Sequence, residues 1–310
     1  MGAAIEVYAT DDRTLAARTG PRGRDDSADQ HRITLPWPIR VVGGRPHVGG
    51  GEIFVRVIGR LEVRRIDQRL IKSDIGSRKA RLLLALLALE HGSLVRQDRI
   101  VDIVWGAELL PRDPAHNIAT MVSRIRRTLG GDSVVGDRAG YRLGATVRVD
   151  LGDAAALVAK TEVVWADREP HDVFTVARRA LRMLSRGGVL DDEPHELWAE
   201  PARVRHRDLL RRARHSVARS ALQLDDSATA LEAAGSALAA DPLDEIACRL
   251  LMRAYDASGE PVRALHTFHR LRARLADELG LDPAAATREL HVAILRGQTS
   301  PDRDGVRTVD

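Results

Sequence analysis

The sequence predicts a mainly α chain with a small β component, in two successive parts. Three observations predict it. Strand-forming runs are confined to the stretch before about residue 71 and to a hairpin near Val134–Leu143. Between them, Ile118, Val122, Ile125 and Leu129 recur at i, i+4, i+7 and i+11, the period of a helix with one apolar face. Alanine and leucine dominate the second half, which favours helix throughout. Aromatic residues make up only 3% of the chain, so aliphatic side chains must fill both cores.

Residues 1–51 read as a poorly ordered arm rich in Gly, Pro, Asp and Arg. Ile33–Val42 can form a short strand, but Pro36 and Pro38 bar it from the middle of a sheet. From Glu52 an apolar, β-branched run (Phe54, Val57, Ile58, Leu61, Val63) reaches about Arg65, interrupted by Gly59, which suggests a bulge or bend. Ile66–Ile71 reads as a turn and a short returning strand. Ser77 can cap a first helix from Arg78 to about Glu90, apolar almost all round and stopped by His91-Gly92. A second runs from about Gln97 to Trp105. Asp113-Pro114 opens the third, an Asp cap with Pro at the first helical position, and Gly130-Gly131 closes it. Val134-Val135 and Tyr141-Arg142-Leu143 form the hairpin, with Gly140 permitting its tight turn.

Beyond residue 150 only helices are expected. Ala154–Ala166 and Val173–Ser185 are the first two, and a long helix follows with a basic run, Arg203 to Arg219. That run reads as a solvated surface with Leu209, Leu210, Val217 and Ala221 on the buried side, a second DNA face being the alternative. Ala230-Leu231 and Ala264-Leu265 stand 34 residues apart, a period suggestive of tetratricopeptide-like (TPR-like) helix pairs. The domains are therefore 52–149 and 151–297, with a flexible tail over 298–310.

Charge is unevenly shared. The whole chain carries +4, yet residues 51–150 hold 18 Lys and Arg against 12 Asp and Glu, and residues 151–310 hold 23 against 26. A basic domain beside an acidic one points to a polyanionic partner for the first. Arg is abundant along the whole chain, so its presence alone says little. Three short helices can present the third to the major groove of DNA, which admits one helix. The face opposite its apolar stripe carries His116, Thr120, Ser123, Arg124 and Arg127, and Asn117 sits near its start. These offer hydrogen bonds to base edges and cations to phosphate; an ordinary solvated helix face is the bland alternative. The hairpin brings Arg138, Tyr141 and Arg142 as a wing against the adjacent backbone or minor groove, with Tyr141 either a contact or a core residue. Ser77, Arg78 and Lys79 set cations beside free helix-start N–H groups, which either bind phosphate or are simply a capped end.

Four segments in this order, Ser77–Leu83, Ile103–Gly106, Ser123–Gly130 and Gly140–Leu143, resemble the OmpR/PhoB-type winged helix-turn-helix of the Streptomyces antibiotic regulatory protein (SARP) family. Arg96 departs from the Ser or Thr that the family often places at the start of the second helix. Trp105 corresponds to a packing residue. Further on, Trp198–Pro201, Leu250–Tyr255, Gly259, Ala264-Leu265, Leu271-Arg272 and Leu275–Pro283 are similar to the bacterial transcriptional activator domain of the same family. The resemblance covers about 52–296. It implies an activator that binds direct repeats in promoter double-stranded DNA as a homodimer and recruits RNA polymerase holoenzyme.

Other chemistry finds no frame. No phosphate-binding G-x-x-x-x-G-K-[ST] loop, C-x-x-C or H-E-x-x-H occurs, so neither a nucleotide cofactor nor a metal is expected. His266 and His269 have no partner motif. Asp191-Asp192-Glu193 reads as solvated charge in a loop, and the single Cys248 as a buried helix residue. No strand–helix alternation with a phosphoacceptor site precedes the winged helix. Without a signal or a membrane span, the expected location is the cytoplasm. A protein-interaction scaffold whose winged helix no longer binds DNA remains the alternative function, and a nucleic-acid enzyme lacks its paired carboxylates or histidine.

Overall fold

The computed structural model describes residues 53–65, 68–70, 75–106, 109–163 and 169–298. The expected arm, the Ile33–Val42 strand and the tail after Gln298 lie outside them, as do parts of the Ile66–Ile71 segment.

Strands β1 (Ile53–Arg56) and β2 (Glu62–Arg65) pair antiparallel, with Ile53 opposite Arg65. The run expected to continue from Phe54 to Arg65 is therefore folded back on itself, and Gly59 lies in the turn with a positive φ of 85°. A backbone that reverses within five residues needs such a conformation, which side chains disfavour. Strand β3 (Gln68–Leu70) pairs with β2.

Helix α1 (Arg78–Leu89) is capped by Ser77, whose hydroxyl accepts from the Ala80 N–H. Residues Leu82 to Ala88 are all buried, as an all-apolar helix at the centre of a core must be. Strand β4 (Val95–Arg96) leads into α2 (Gln97–Trp105), whose Arg96 cap makes no side-chain bond. Helix α3 (Pro114–Leu129) opens on Asp113, which accepts from the His116 N–H at 2.9 Å. Strands β5 (Val134–Asp137) and β6 (Gly140–Leu143) form the hairpin, and β6 also pairs with β4.

Gly140 does not serve through a special φ. A Cβ there would lie 2.5 Å from the Val95 carbonyl oxygen, so glycine permits the approach of β6 to β4. Gly136 is the hairpin residue with positive φ, and the Asp137 carboxylate accepts from the Ala139 N–H at 2.8 Å across the turn.

Strand β7 (Val147–Val149) completes the first sheet, in the order β3-β2-β1-β7. It runs parallel to β1, with Val55 opposite Val149. The parallel register sets the end of β7 beside the end of β1, and so places Asp150 against the chain leaving β1. Asp150 Oδ1 accepts from Val57 N at 2.9 Å and from Leu151 N at 2.9 Å, and Oδ2 from Ile58 N at 3.2 Å. Val57 and Ile58 are fully buried, and their amides need such acceptors. Burial pushes the Asp150 carboxyl up to about 6, against the opposing pull of its three N–H donors and the Arg56 guanidinium.

Asp150 also starts α4 (Asp150–Val163), four residues ahead of the expected start, because an acidic side chain suits a helix N-terminus. Helices α5 (Pro170–Leu184), α6 (Glu200–Gln223), α7 (Ser227–Ala240), α8 (Glu245–Ala257), α9 (Pro261–Leu279) and α10 (Ala285–Leu295) follow. From α5 on, consecutive helices pack against each other, and the two Ala-Leu pairs fall on α7 and α9, the first members of two helix pairs. Asp226 and Asp244 cap α7 and α8. Asp244 also meets His215 Nε2 at 2.6 Å, tying the α7–α8 turn to α6. In the α6 basic run, Arg207 pairs with Glu200, Arg211 with Asp208, and Arg212 with Glu162 and Asp208. Cys248 is buried, and that burial pushes its thiol up to about 12.

The segment between α5 and α6 binds the β1–β2 turn. Gly59 N donates to Gly188 O, Leu190 N to Val57 O and Asp191 N to Gly59 O, at 2.5, 2.9 and 2.8 Å. Leu61 N donates to Asp192 Oδ1 at 3.1 Å. Leu190 is fully buried with φ at +54°, a strained conformation that its packing holds. The acidic triplet expected to be solvated is instead engaged. A tight turn cannot satisfy its own amides, and this segment supplies the missing partners. One hydrophobic cluster joins Val55, Leu83 and Ile125 to Val158, Leu184 and Leu209.

The Asp150→Asn variant would turn an N–H donor toward Ile58 N, at a cost of about 1–3 kcal/mol. The raised carboxyl means that the folded state holds this proton between about pH 4 and 6 while the unfolded chain releases it. The wild type's advantage over Asp150→Asn should therefore shrink as pH rises through that window, by an amount on the order of 3 kcal/mol. Thermal unfolding of both proteins from pH 4 to 7.5 measures this, and a constant difference would contradict it. Gly140→Ala should cost about 1–3 kcal/mol through the clash with β4, read as a lower urea midpoint with an unchanged slope.

Candidate nucleic-acid interface

Helix α3 has the two faces a groove-reading helix requires. Ile118, Val122, Ile125 and Leu129 are buried. His116, Asn117, Thr120, Ser123, Arg124 and Arg127 are exposed on the other side. At about 1.5 Å per residue the exposed residues run along most of the helix. Arg124 and Arg127 form no ion pair among the described residues. The Thr120 hydroxyl donates to His116 O at 3.0 Å, which leaves its oxygen able to accept a further hydrogen bond. Asn117 Nδ2 donates to Asp113 O at 2.9 Å, which leaves its carbonyl available.

Strand alternation orients the hairpin. Arg142 is exposed, while Tyr141 and Leu143 point inward. Tyr141, a candidate contact, is corrected to a core residue: it is 5% exposed and paired opposite Val95. Arg138 is exposed at the hairpin tip.

The hairpin is held to α3 by a residue that the sequence reading passed over as a contact. Arg126 Nε donates to Val134 O at 2.8 Å and Nη2 to Gly136 O at 3.1 Å. Its position beside Ile125, at the flank of the apolar stripe, was the available signal, because flank residues face the neighbouring element. Arg126 thus fixes the spacing between helix and wing.

The start of α1 joins this surface through Gly76. A Cβ there would lie 2.7 Å from Arg124 Cδ, and its φ is +102°, so glycine lets the Arg124 stem lie against the α1 entry. Ser77 and Arg78 are exposed, and Lys79 is half-buried with its ammonium 5.2 Å from the centre of the Trp105 ring. Trp105 is buried, the packing role that the resemblance implied. Arg78, a candidate contact beside the helix-start N–H groups, is ion-paired: its Nη2 lies 2.8 Å from Glu193 Oε2 and 2.7 Å from Glu196 Oε1. Carboxylates more than 100 residues away in sequence left no local sign of this pairing. Among the described residues no group of three or more His, Cys, Asp or Glu is placed to hold a metal, and no helix is long and apolar enough to cross a membrane.

Comparison with known proteins bears on the fold and on the helical half. The family model described as "Bacterial transcriptional activator domain" matches residues 149–295. Regulatory protein AfsR of Streptomyces griseus is 32% identical over 227 residues, which are 71% of this chain and 22% of AfsR. The chain thus spans about a fifth of that relative's length. Transcriptional regulatory protein MoaR1 of Mycobacterium tuberculosis is 29% identical over 258 residues, covering 79% of this chain and 80% of MoaR1. The solved structure of Mycobacterium tuberculosis EmbR in complex with a low affinity phosphopeptide shares the fold, with a TM-score of 0.66 at 24% identity over 81% of this chain and 66% of that one. The helical half thus matches the bacterial transcriptional activator domain, and with a winged helix-turn-helix packed in front of it the chain is similar to regulators of the Streptomyces antibiotic regulatory protein (SARP) family.

Proposed function

We propose that the chain is a sequence-specific regulator of transcription that reads promoter DNA with α3. Residues 52–149 form the DNA-reading domain and residues 151–297 the helical activator domain. The observation that carries this reading is the exposed α3 face, with hydroxyls and guanidinia that form no ion pair among the described residues, opposite a buried aliphatic stripe. Ser123, Arg124 and Arg127 face base edges and phosphates. His116, Asn117 and Thr120 lie toward the helix start, and Arg138 and Arg142 of the wing meet the flanking backbone. Ser77 marks an α1 start whose N–H groups suit a phosphate. The AfsR and MoaR1 names, both of regulatory proteins, support the same reading. The role is non-catalytic and needs no cofactor, and it places the protein with the chromosome in the cytoplasm. Binding to direct repeats as a homodimer and recruitment of RNA polymerase holoenzyme are the finer parts of the proposal. Footprinting on neighbouring promoters, with and without polymerase, tests them.

Arg124→Ala and Arg127→Ala should each weaken binding to a footprinted site by ~1–3 kcal/mol if the guanidinium reads a base. A residue that meets only phosphate should instead weaken binding to all duplexes alike and make the log Kd against log salt plot shallower by roughly one. Fluorescence anisotropy over a salt series separates the two cases. Unchanged affinity in both variants would refute α3 as the reading helix.

A further inference from the structure

We propose that Glu193 and Glu196 compete with DNA phosphate for the Arg78 guanidinium, a clasp that restrains the DNA face described above; the inference rests on that face binding DNA. Arg78 is the first residue of α1, beside Ser77, and the Arg124 stem lies against the preceding Gly76. It therefore stands at the edge of the candidate DNA surface. Its Nη2 nonetheless meets two carboxylates, at 2.8 and 2.7 Å, so its positive charge is more than neutralised.

The two carboxylates are held in place. The largely buried Arg203 guanidinium donates to Val189 O, Glu196 O and Glu193 O at 3.3, 3.1 and 2.9 Å, fixing the backbone that carries both acids. The second Glu196 oxygen accepts from the Trp198 indole N–H at 2.8 Å. The adjoining residues are pinned to the β1–β2 turn through Asp192 and Leu190. Three fastenings of one short segment preorganise the acids toward Arg78.

Arg78 is the mobile member. Its side chain is 55% exposed, and a long flexible stem lets it swing from carboxylate to phosphate. Exposed ion pairs are weak and screened by salt, so a polyanion can displace them. The competition must also run both ways, because whatever the clasp costs DNA binding, bound DNA costs the clasp.

The test uses the full chain and a 30-base-pair duplex, with anisotropy over a salt series. Glu193→Gln/Glu196→Gln should bind about three- to tenfold more tightly than wild type. Its log–log salt slope should be steeper by ~0.9, the increment for one added phosphate contact. Adding Arg78→Ala should return the slope to the wild-type value. Asp277→Asn/Glu278→Gln removes two exposed carboxylates at the end of α9 and should leave the slope unchanged. Equal slopes for wild type and the double glutamine variant overturn the proposal, as does a steeper slope that survives loss of Arg78. Glu193→Gln and Glu196→Gln singly give the same reading, each with part of the change, should the double variant fold poorly. If Arg124→Ala and Arg127→Ala also leave binding unaltered, the DNA face itself is wrong. If they weaken binding while the slopes stay equal, only the clasp is wrong.

Discussion

The buried carboxylate of Asp150 holds together what the sequence divides. Parallel pairing of β7 with β1 brings it to the end of β1, where it accepts the amides of Val57 and Ile58 and opens α4. Without an acceptor there, two fully buried N–H groups would be stranded at the point where the chain turns toward β2. A buried acid is expensive to ionise, and its three N–H donors offset part of that cost. The same turn then receives Gly188, Leu190 and Asp192 from the segment before α6. The first sheet is thus bonded to the helical half at the start of α4 and again before α6, and a single hydrophobic cluster closes around both. The winged helix and the first helices behind it thus share one core.

Features governed by local chemistry were legible in the sequence. Ser77, Asp113 and the Asp-Pro pair fixed the starts of α1 and α3, and the aliphatic period fixed the buried face of α3. Those signals act within four residues of one another. The misread features depend on distant partners. The β1–β2 reversal reads in sequence as one run with a bulge or bend at Gly59, and only β7 and residues 188–192 supply the bonds that make it a full turn. Gly140 shows a tight turn in sequence, but its necessity comes from Val95, 45 residues earlier. Tyr141 was open between contact and core until its pairing with β4 fixed which way strand alternation turns it.

The candidate DNA surface divides by the same rule. Its exposed hydroxyls and guanidinia follow from helical period alone, because the residues opposite a buried stripe have nowhere else to point. Its geometry does not. Arg126 spends its guanidinium on Val134 O and Gly136 O, which sets the wing's distance from α3. Lys79 lies over Trp105. Three neighbouring cations therefore do two different jobs: Arg124 and Arg127 face outward, and Arg126 holds the scaffold. Counting arginines in a basic segment overstates the charge available to a polyanion, since only geometry tells which guanidinia are already engaged.

That division bears on how the helical half can influence DNA binding. Electrostatic coupling between parts of a protein needs a group that both parts can reach, and Arg78 is such a group, at the start of α1 and within hydrogen-bond distance of acids that precede α6. The acids cannot drift away, because Arg203 binds their backbone carbonyls from within α6. A shift of α6 would therefore carry Glu193 and Glu196 with it and alter the charge that DNA meets, with no change in α3 itself. Rigid packing through the Asp150 joint makes such a shift meaningful: a loosely linked helical domain would average its acids away from Arg78, whereas this one holds them there until a stronger anion or a movement of α6 takes the guanidinium from them.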